Sequence, residues 1–291
     1  MSALARQRRH ALLLLFIPGF FYLVSVRIVP AALTIGMSFS KWNLKSGAPP
    51  SFAGMSNYGT LLHDAGFGLS LARTLIFTAC ATAIELTLGL AVAMLLNRRF
   101  PARRAVRTVV LAPMVITPAV VGMMWFILFH DTIGPLNWFL SAVDLGPVGW
   151  LTSQSVAMAS VLLMDVWHWT PFMFLLSLAA FQAVPQESLE AAAVDGATAL
   201  QSLRLVLLPA IADTLVVAAV LRAMEAFELF AEPYVMTGGG PGNATETISL
   251  HIYKSAFLFF DMGYAGAMIV VSIGILVALY SISLRLGPRA A

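Results

Sequence analysis

Pro185-Gln186-Glu187-Ser188-Leu189-Glu190-Ala191-Ala192-Ala193-Val194-Asp195-Gly196-Ala197, continuing through Arg204 to Leu208-Pro209, is a polar stretch set between long hydrophobic runs. Helix-forming residues flank a single Asp195-Gly196, where glycine permits a turn that a side chain would hinder. Leu203, Leu205, Val206 and Leu208 then restore an apolar face, and Pro209 marks re-entry into a span. The order predicts a short helix, a bend and a second helix lying on a membrane surface, open to the grip of a soluble partner.

A membrane follows from the rest of the chain. Its 291 residues are 59% hydrophobic and 11% charged, with mean hydropathy +0.87. A soluble domain carries about 25% charged residues. Residues 108–130 contain no Asp, Glu, Lys or Arg. Long continuous apolar runs call for helices and not for the short alternating strands of a barrel. The fold class is therefore an all-α integral membrane protein. Six spans are expected, at 11–38, 71–97, 108–130, 153–182, 210–231 and 256–284.

The basic residues orient them. Arg6, Arg8 and Arg9 precede the first span, Arg98, Arg99, Arg103, Arg104 and Arg107 join the second to the third, and Arg285 and Arg289 follow the sixth. Lys41, Lys45 and Lys254 lie in the opposite loops. By the positive-inside rule both termini are expected in the cytoplasm, together with the 187–209 loop. The first run has no convincing cleavage site and reads as an uncleaved anchor. The external loops are expected at 41–70, with a short amphipathic element over 56–62, at 131–152, and at Thr237-Gly238-Gly239-Gly240-Pro241-Gly242-Asn243. The net charge of +3 is accounted for by topology, and no nucleic-acid partner is expected.

Several chemistries are excluded. A phosphate loop needs Lys-Ser/Thr after its glycines, but Asn243-Ala244-Thr245 follows 238–242. No ATP site is expected in this chain. His10, His63, His130, His168 and His251 are scattered without an i, i+4 pair, and Cys80 is alone, so neither a metal site nor a disulfide is expected. Asp165 and Asp213 are a weak candidate for a paired catalytic site, and no nucleophile–base constellation accompanies them.

Ionisable residues inside spans are costly and usually face protein or water. Arg27, Glu85, Asp165, Asp213, Arg222, Glu225 and Glu228 are of this kind. Arg222, Glu225 and Glu228 follow at three-residue steps and share a helix face, with Phe227 and Phe230 nearby. Carboxylates accept hydroxyl hydrogen bonds and rings cover apolar sugar faces, so this face suits a polyhydroxylated ligand. An Arg222–Glu225 pair tying helices together is the alternative. Trp125, Asp165, Trp167, His168 and Trp169 form similar surroundings, although Trp is common at membrane interfaces. The substrate-pathway candidates are Trp125, Asp165, Trp167, Glu225, Phe227 and Glu228.

Glu190-Ala191-Ala192, Asp195-Gly196-Ala197 and Leu208-Pro209 resemble the EAA motif of importer permeases of the ATP-binding-cassette superfamily. Leu203 and Val206 stand where Phe and Ile are frequent in that family. Pro18, Val29-Pro30, Ser38-Phe39-Ser40 and Phe52-Ala53-Gly54-Met55-Ser56-Asn57-Tyr58 resemble the carbohydrate-importer permeases of the maltose and glycerol-phosphate type. So do Tyr234-Val235-Met236-Thr237-Gly238-Gly239-Gly240-Pro241, Thr245, Thr247, Tyr253 and Ala256-Phe257, which point to the maltose F-type and glycerol-phosphate A-type side of the pair. Relatives often carry an acidic residue where Ala231 stands; here Glu232 is its neighbour.

The resemblance implies a type I importer architecture of six transmembrane helices. Residues 1–66 would form an N-terminal helix and external loop, 67–286 the permease domain and 287–291 a tail. It implies a non-catalytic subunit of a bacterial inner membrane that pairs with a second permease, two ATPase subunits and an external solute-binding protein, with ATP and Mg in the ATPase chains. The imported solute would be a sugar, oligosaccharide, polyol or sugar phosphate. Glu187, Glu190, Ala191, Ala192, Asp195, Gly196, Ala197 and Arg204 would contact an ATPase. Thr237, Gly238, Gly239, Gly240, Pro241 and Asn243 would receive the binding protein. An ion-coupled secondary transporter using Glu225 or Asp165 is the alternative, and it would have no need of the 187–209 loop.

Overall fold

The computed structural model describes residues 16–97 and 100–286, with side chains as far as residue 281. Arg6, Arg8, Arg9, His10, Arg98, Arg99 and Arg289, residues 11–15 of the first expected span and the 287–291 tail lie outside the described residues, as does the Arg285 side chain. The chain forms α1 (Phe16–Ser38), a small antiparallel pair of β1 (Ser40–Lys41) and β2 (Ser51–Phe52), then α2 (Ser56–Leu62) and α3 (Ala65–Asn97). There follow α4 (Arg103–Leu111), α5 (Pro118–Leu128), α6 (Pro135–Ala142), α7 (Ala157–Ala183), α8 (Gln186–Val194) and α9 (Ala199–Phe227). The last elements are α10 (Ala231–Thr237), α11 (Ile248–Tyr253) and α12 (Met262–Leu286).

Among the described residues, α1, α3, α7, α9 and α12 are long and apolar enough to cross a membrane. The run at 108–130 is built differently from its neighbours. α4 ends at Leu111, a 3-10 turn covers Pro113–Val115, Ile116 and Thr117 are extended, and α5 begins at Pro118. Proline lacks an amide N–H and disfavours helix in the residue before it. Thr117 accordingly has ψ 142°. The 11 residues of α5 cover about 16 Å, so this apolar run is assembled from two helices.

Elsewhere proline is accommodated without a break. The helical ladder widens to i→i+5 over Val24–Ile28 and Ser202–Leu207, just before Pro30 and Pro209. The proline ring clashes with the carbonyl four residues back, and here those carbonyls belong to Val26 and Leu205, inside the widened turns. The expected re-entry at Pro209 is therefore continuous helix, and α9 starts near residue 199, some way before the expected 210.

The chain divides into two compact units. In the first, residues 16–64 with 252–275, the segment after α1 is fastened to the start of α12 by main-chain hydrogen bonds. Met262 N donates to Trp42 O (3.0 Å) and Leu44 N to Phe260 O (3.0 Å). Tyr58 on α2 meets Ser38 Oγ at 2.7 Å, and Asn57 Nδ2 donates to the carbonyls of Ser38 and Ser40. Tyr264 hydrogen-bonds Asp64.

In the second unit, residues 65–251 with 276–286, α3 packs along α7, α9 lies across both, and α10 rests on α5. Gly89 allows the closest approach of α3 to α7: a methyl at that position would sit 2.6 Å from Phe174 N. One core cluster gathers Phe77, Ala81, Val121, Val161, Met164 and Ala226, and another gathers Ala93, Leu96, Phe174, Phe181 and Ile211. The loop at 131–152 folds around buried Asn137. Its Nδ2 donates to Asp131 O and Val148 O, and its Oδ1 accepts from Val148 N and Trp150 Nε1.

Candidate functional site

The interior of the second unit holds a charged cluster contributed by three spanning helices. Arg222 of α9 donates through Nε to Glu85 Oε2 (2.6 Å) and through Nη2 to Glu85 Oε1 (3.0 Å) on α3. Its Nη2 also donates to Asp165 Oδ2 on α7. All three side chains are buried. The guanidinium fork suits two carboxylates at once, because its donors are fixed in a plane, and it lies 5.2 Å over the Trp169 ring. Asp165 Oδ1 has no hydrogen-bond partner among the described residues.

His168, one turn beyond Asp165, extends this cluster toward α10. Its Nε2 lies 3.1 Å from Ile116 O and therefore carries the proton, while Nδ1 faces Glu232 Oε1 at 3.8 Å. Glu232 lies past the end of α9 and is buried, which pushes its carboxyl up to about 7. The extended backbone at Ile116 and Thr117 is what presents that carbonyl to His168. Ala231 itself carries no charge, and the acid beside it, Glu232, is turned inward.

The expected pathway residues fall into distinct settings. Trp125 and Trp167 meet edge to face at 5.7 Å, and Trp125 packs on Phe129. Trp167 keeps 37% of its surface exposed. Glu225 and Glu228, on the last turn of α9 and at its cap, are exposed, whereas Phe227 between them is packed in the interior. Asp165 is enclosed with Arg222 and Glu85. The partner considered for Arg222 is Glu225; the structure supplies Glu85 and Asp165 in its place. Glu85 was visible as an intramembrane charge of opposite sign, but nothing local tied it to Arg222.

The stretch after Pro185 forms a separate feature. α8 closes in a Schellman motif: Ala197 N donates to Ala192 O (2.9 Å) and Gly196 N to Ala193 O (3.1 Å). Gly196 has φ +79°, left-handed backbone that glycine adopts without penalty. Thr198 then opens α9 with a capping box to Gln201. Glu187, Glu190, Ala191, Asp195, Gly196 and Arg204 are exposed; Ala192 and Ala197 are half-buried. Val194 is 88% exposed. The outcome is a rigidly capped elbow with acidic and apolar side chains on its outside, continuous with a 29-residue helix.

The loop at 237–243 is also rigid. Gly238, Gly239, Gly242 and Asn243 have positive φ. Thr245 Oγ1 donates to Gly240 O (2.9 Å) and lies 2.5 Å from Thr237 Oγ1, and Gly239 N donates to Thr237 Oγ1. Gly238, Gly242 and Asn243 are exposed, Thr237, Gly240 and Pro241 half-buried, and Gly239 buried. These contacts leave backbone and small side chains at the surface, a surface suited to close approach by another protein.

The family described as binding-protein-dependent transport system inner membrane component matches residues 85–291. The trehalose/maltose transport system permease protein MalF of Thermococcus litoralis is 37% identical over 222 residues, 76% of this chain and 74% of that protein. The trehalose transport system permease protein SugA of Mycobacterium tuberculosis is 35% identical over 285 residues, 98% of this chain and 91% of that one. A chain of a crystallised bacterial alginate ABC transporter, in complex with an alginate pentasaccharide-bound periplasmic protein, has the same fold. Its TM-score is 0.83 at 22% identity, over 98% of each chain.

Proposed function

This chain belongs to the family of binding-protein-dependent transport system inner membrane components, and from that membership we propose that it is the permease subunit of an ATP-driven importer for a sugar, oligosaccharide, polyol or sugar phosphate. The capped elbow at Gly196 carries this reading, and the similarity to trehalose and maltose permeases supports the solute class. The subunit pairs with a second permease, two ATPase chains and an external solute-binding protein. ATP and Mg are held by the ATPase chains, and this chain performs no catalysis of its own.

An ATPase grips the outside of α8 through Glu187, Glu190, Ala191, Ala192, Asp195, Gly196 and Ala197, with Arg204 on the following turn. The backbone of the elbow is capped internally and its acidic side chains are exposed, so they are open to a partner. Motion imposed there passes into α9, a continuous rod of 29 residues or about 44 Å. Near its other end, Arg222 is tied to α3 and α7. Rocking of helices packed in this way opens a midplane cavity alternately to each side, driven by the differential affinity of partners for the two states. Glu225 and Glu228, with the Trp125–Trp167 pair, offer carboxylates and rings to the solute. The 237–243 loop receives the binding protein, the 187–209 loop and the chain ends face the cytoplasm, and 67–286 is the transporting domain. Engagement of Asp165 by Arg222 weighs against its use as a free proton carrier.

The test is uptake into vesicles reconstituted with the partner subunits, using a ligand identified by thermal shift of the cognate binding protein. Uptake should require ATP inside and loaded binding protein outside. Accumulation driven by a proton gradient without the ATPase would sink the proposal. Within that assay Glu228→Ala should lower uptake while the ATPase remains bound; unaltered kinetics across several sugars would remove Glu228 from the pathway.

A further inference from the structure

α4 starts just past the end of the membrane-spanning α3, and its two faces differ in chemistry. Arg103, Arg104, Arg107 and Thr108 share one arc of the helix; Ala105, Val106, Val109 and Val110 share the opposite one. Val110 and Leu111 rest on the α3–α7 core, whereas Val106 is exposed and Val109 is 72% exposed. No Asp or Glu occurs between residues 86 and 130. Arg103 Nε and Arg107 Nη2 both donate to Leu96 O, at 2.8 and 3.1 Å, closing the C-terminal end of α3. Each guanidinium keeps further N–H donors, and among the described residues the buried Arg107 Nε has no hydrogen-bond partner. Arg104 is exposed, and among the described residues its side chain makes no hydrogen bond or ion pair. Phe100, Ala102, Arg103 and Arg104 line a cavity of about 480 Å³.

We propose that this cup binds the headgroup of an anionic phospholipid. The phosphodiester takes guanidinium N–H groups of Arg103 and Arg104, and the acyl chains follow the exposed valines of α4. Two observations select a lipid over a soluble anion. Arg103 and Val106 are three residues apart and so adjacent on the helix surface, which places the charge at the border of an apolar face. That border also lies at the end of a spanning helix, where basic side chains meet anionic headgroups and apolar ones meet hydrocarbon. A free phosphate would answer the arginines and leave Val106 and Val109 against water. The inference stands on α3 and α4 alone and is independent of what the chain transports.

The test uses the chain purified with its partner subunits in a non-ionic detergent. The complex is titrated with phosphatidylglycerol or phosphatidylcholine, and retained lipid is counted by native mass spectrometry. Phosphatidylglycerol should be retained in preference to phosphatidylcholine. Arg104→Gln, which breaks no hydrogen bond or ion pair among the described residues, should weaken that retention about fivefold, the factor carried by one basic residue at an anionic surface. Arg104→Lys should keep most of it, and Lys41→Gln, in the β1 strand, should change nothing. Equal retention of the two lipids, or unaltered retention by Arg104→Gln, overturns the proposal. Displacement of the bound lipid by millimolar inorganic phosphate overturns it as well, since that outcome identifies a site for soluble anions.

Discussion

Glu85, Asp165 and Arg222 are enclosed in the helix bundle and pair with one another, whereas Glu187, Glu190 and Asp195 stand on the outside of α8 in no ion pair among the described residues. Both groups place charge in a chain that is only 11% charged. The physical demands on them are opposite. Inside hydrocarbon an ion must find its counter-ion within the protein, because water is absent to solvate it. At the surface water solvates each carboxylate, and the local fold only has to satisfy its own backbone. The buried set therefore holds helices to one another, and the open set is available to a second protein.

The largest expected effect comes from breaking the closed set. Arg222→Met leaves two buried carboxylates without their counter-ion and should destabilise the bundle by about 3–5 kcal/mol. Thermal unfolding of the purified chain in detergent reads this directly. Neutralising all three positions together, with Glu85→Gln, Asp165→Asn and Arg222→Met, should recover most of the loss. If the single and triple variants were equally unstable, the cluster would matter for packing and not for charge.

Gly196→Pro attacks the open set through its backbone. Proline requires φ near −65°, and Gly196 has φ +79°. The Schellman closure should be lost and uptake abolished, while the amount of chain in the membrane stays normal. Normal uptake would separate the elbow from coupling. Glu190→Lys keeps the backbone and reverses one exposed charge. It should reduce uptake more than it reduces assembly, measured by co-purification of the ATPase, and equal losses in both would indicate a docking contact without a coupling role. The smallest effect is expected from Thr198→Ala, which removes the cap of α9 at a cost of about 1 kcal/mol to that helix end. Hydrogen exchange at Ala199–Gln201 should quicken, and unchanged exchange would mean that packing alone holds the helix start.

The open elbow was largely legible in the amino-acid order, because every contact that shapes it is local. Asp195-Gly196 specifies a left-handed turn; the Thr198–Gln201 cap that follows is equally local, although only the structure brought it out. The short amphipathic element at 56–62 is α2, again a local pattern. The closed cluster was not legible in the same way. Each of its members was recognisable as an intramembrane charge, but Arg222 lies 57 residues from Asp165 and 137 from Glu85. Its nearer candidate, Glu225, is exposed at the same helix end. The division of 108–130 lies between these cases: Pro113 and Pro118 announce it locally, yet apolar content alone makes the run look like one helix.

Composition and order by themselves determined the membrane class, the apolar runs, the glycine-rich turn at 237–243 and the bend at Gly196, because hydrophobic length and turn chemistry act over a few residues. Only the tertiary structure decided which carboxylates hold Arg222, how near α3 comes to α7 at Gly89, and that Glu232 turns inward toward His168. Those choices depend on which helices become neighbours, and a buried ion or a close backbone contact is satisfied only by a partner that packing brings to it.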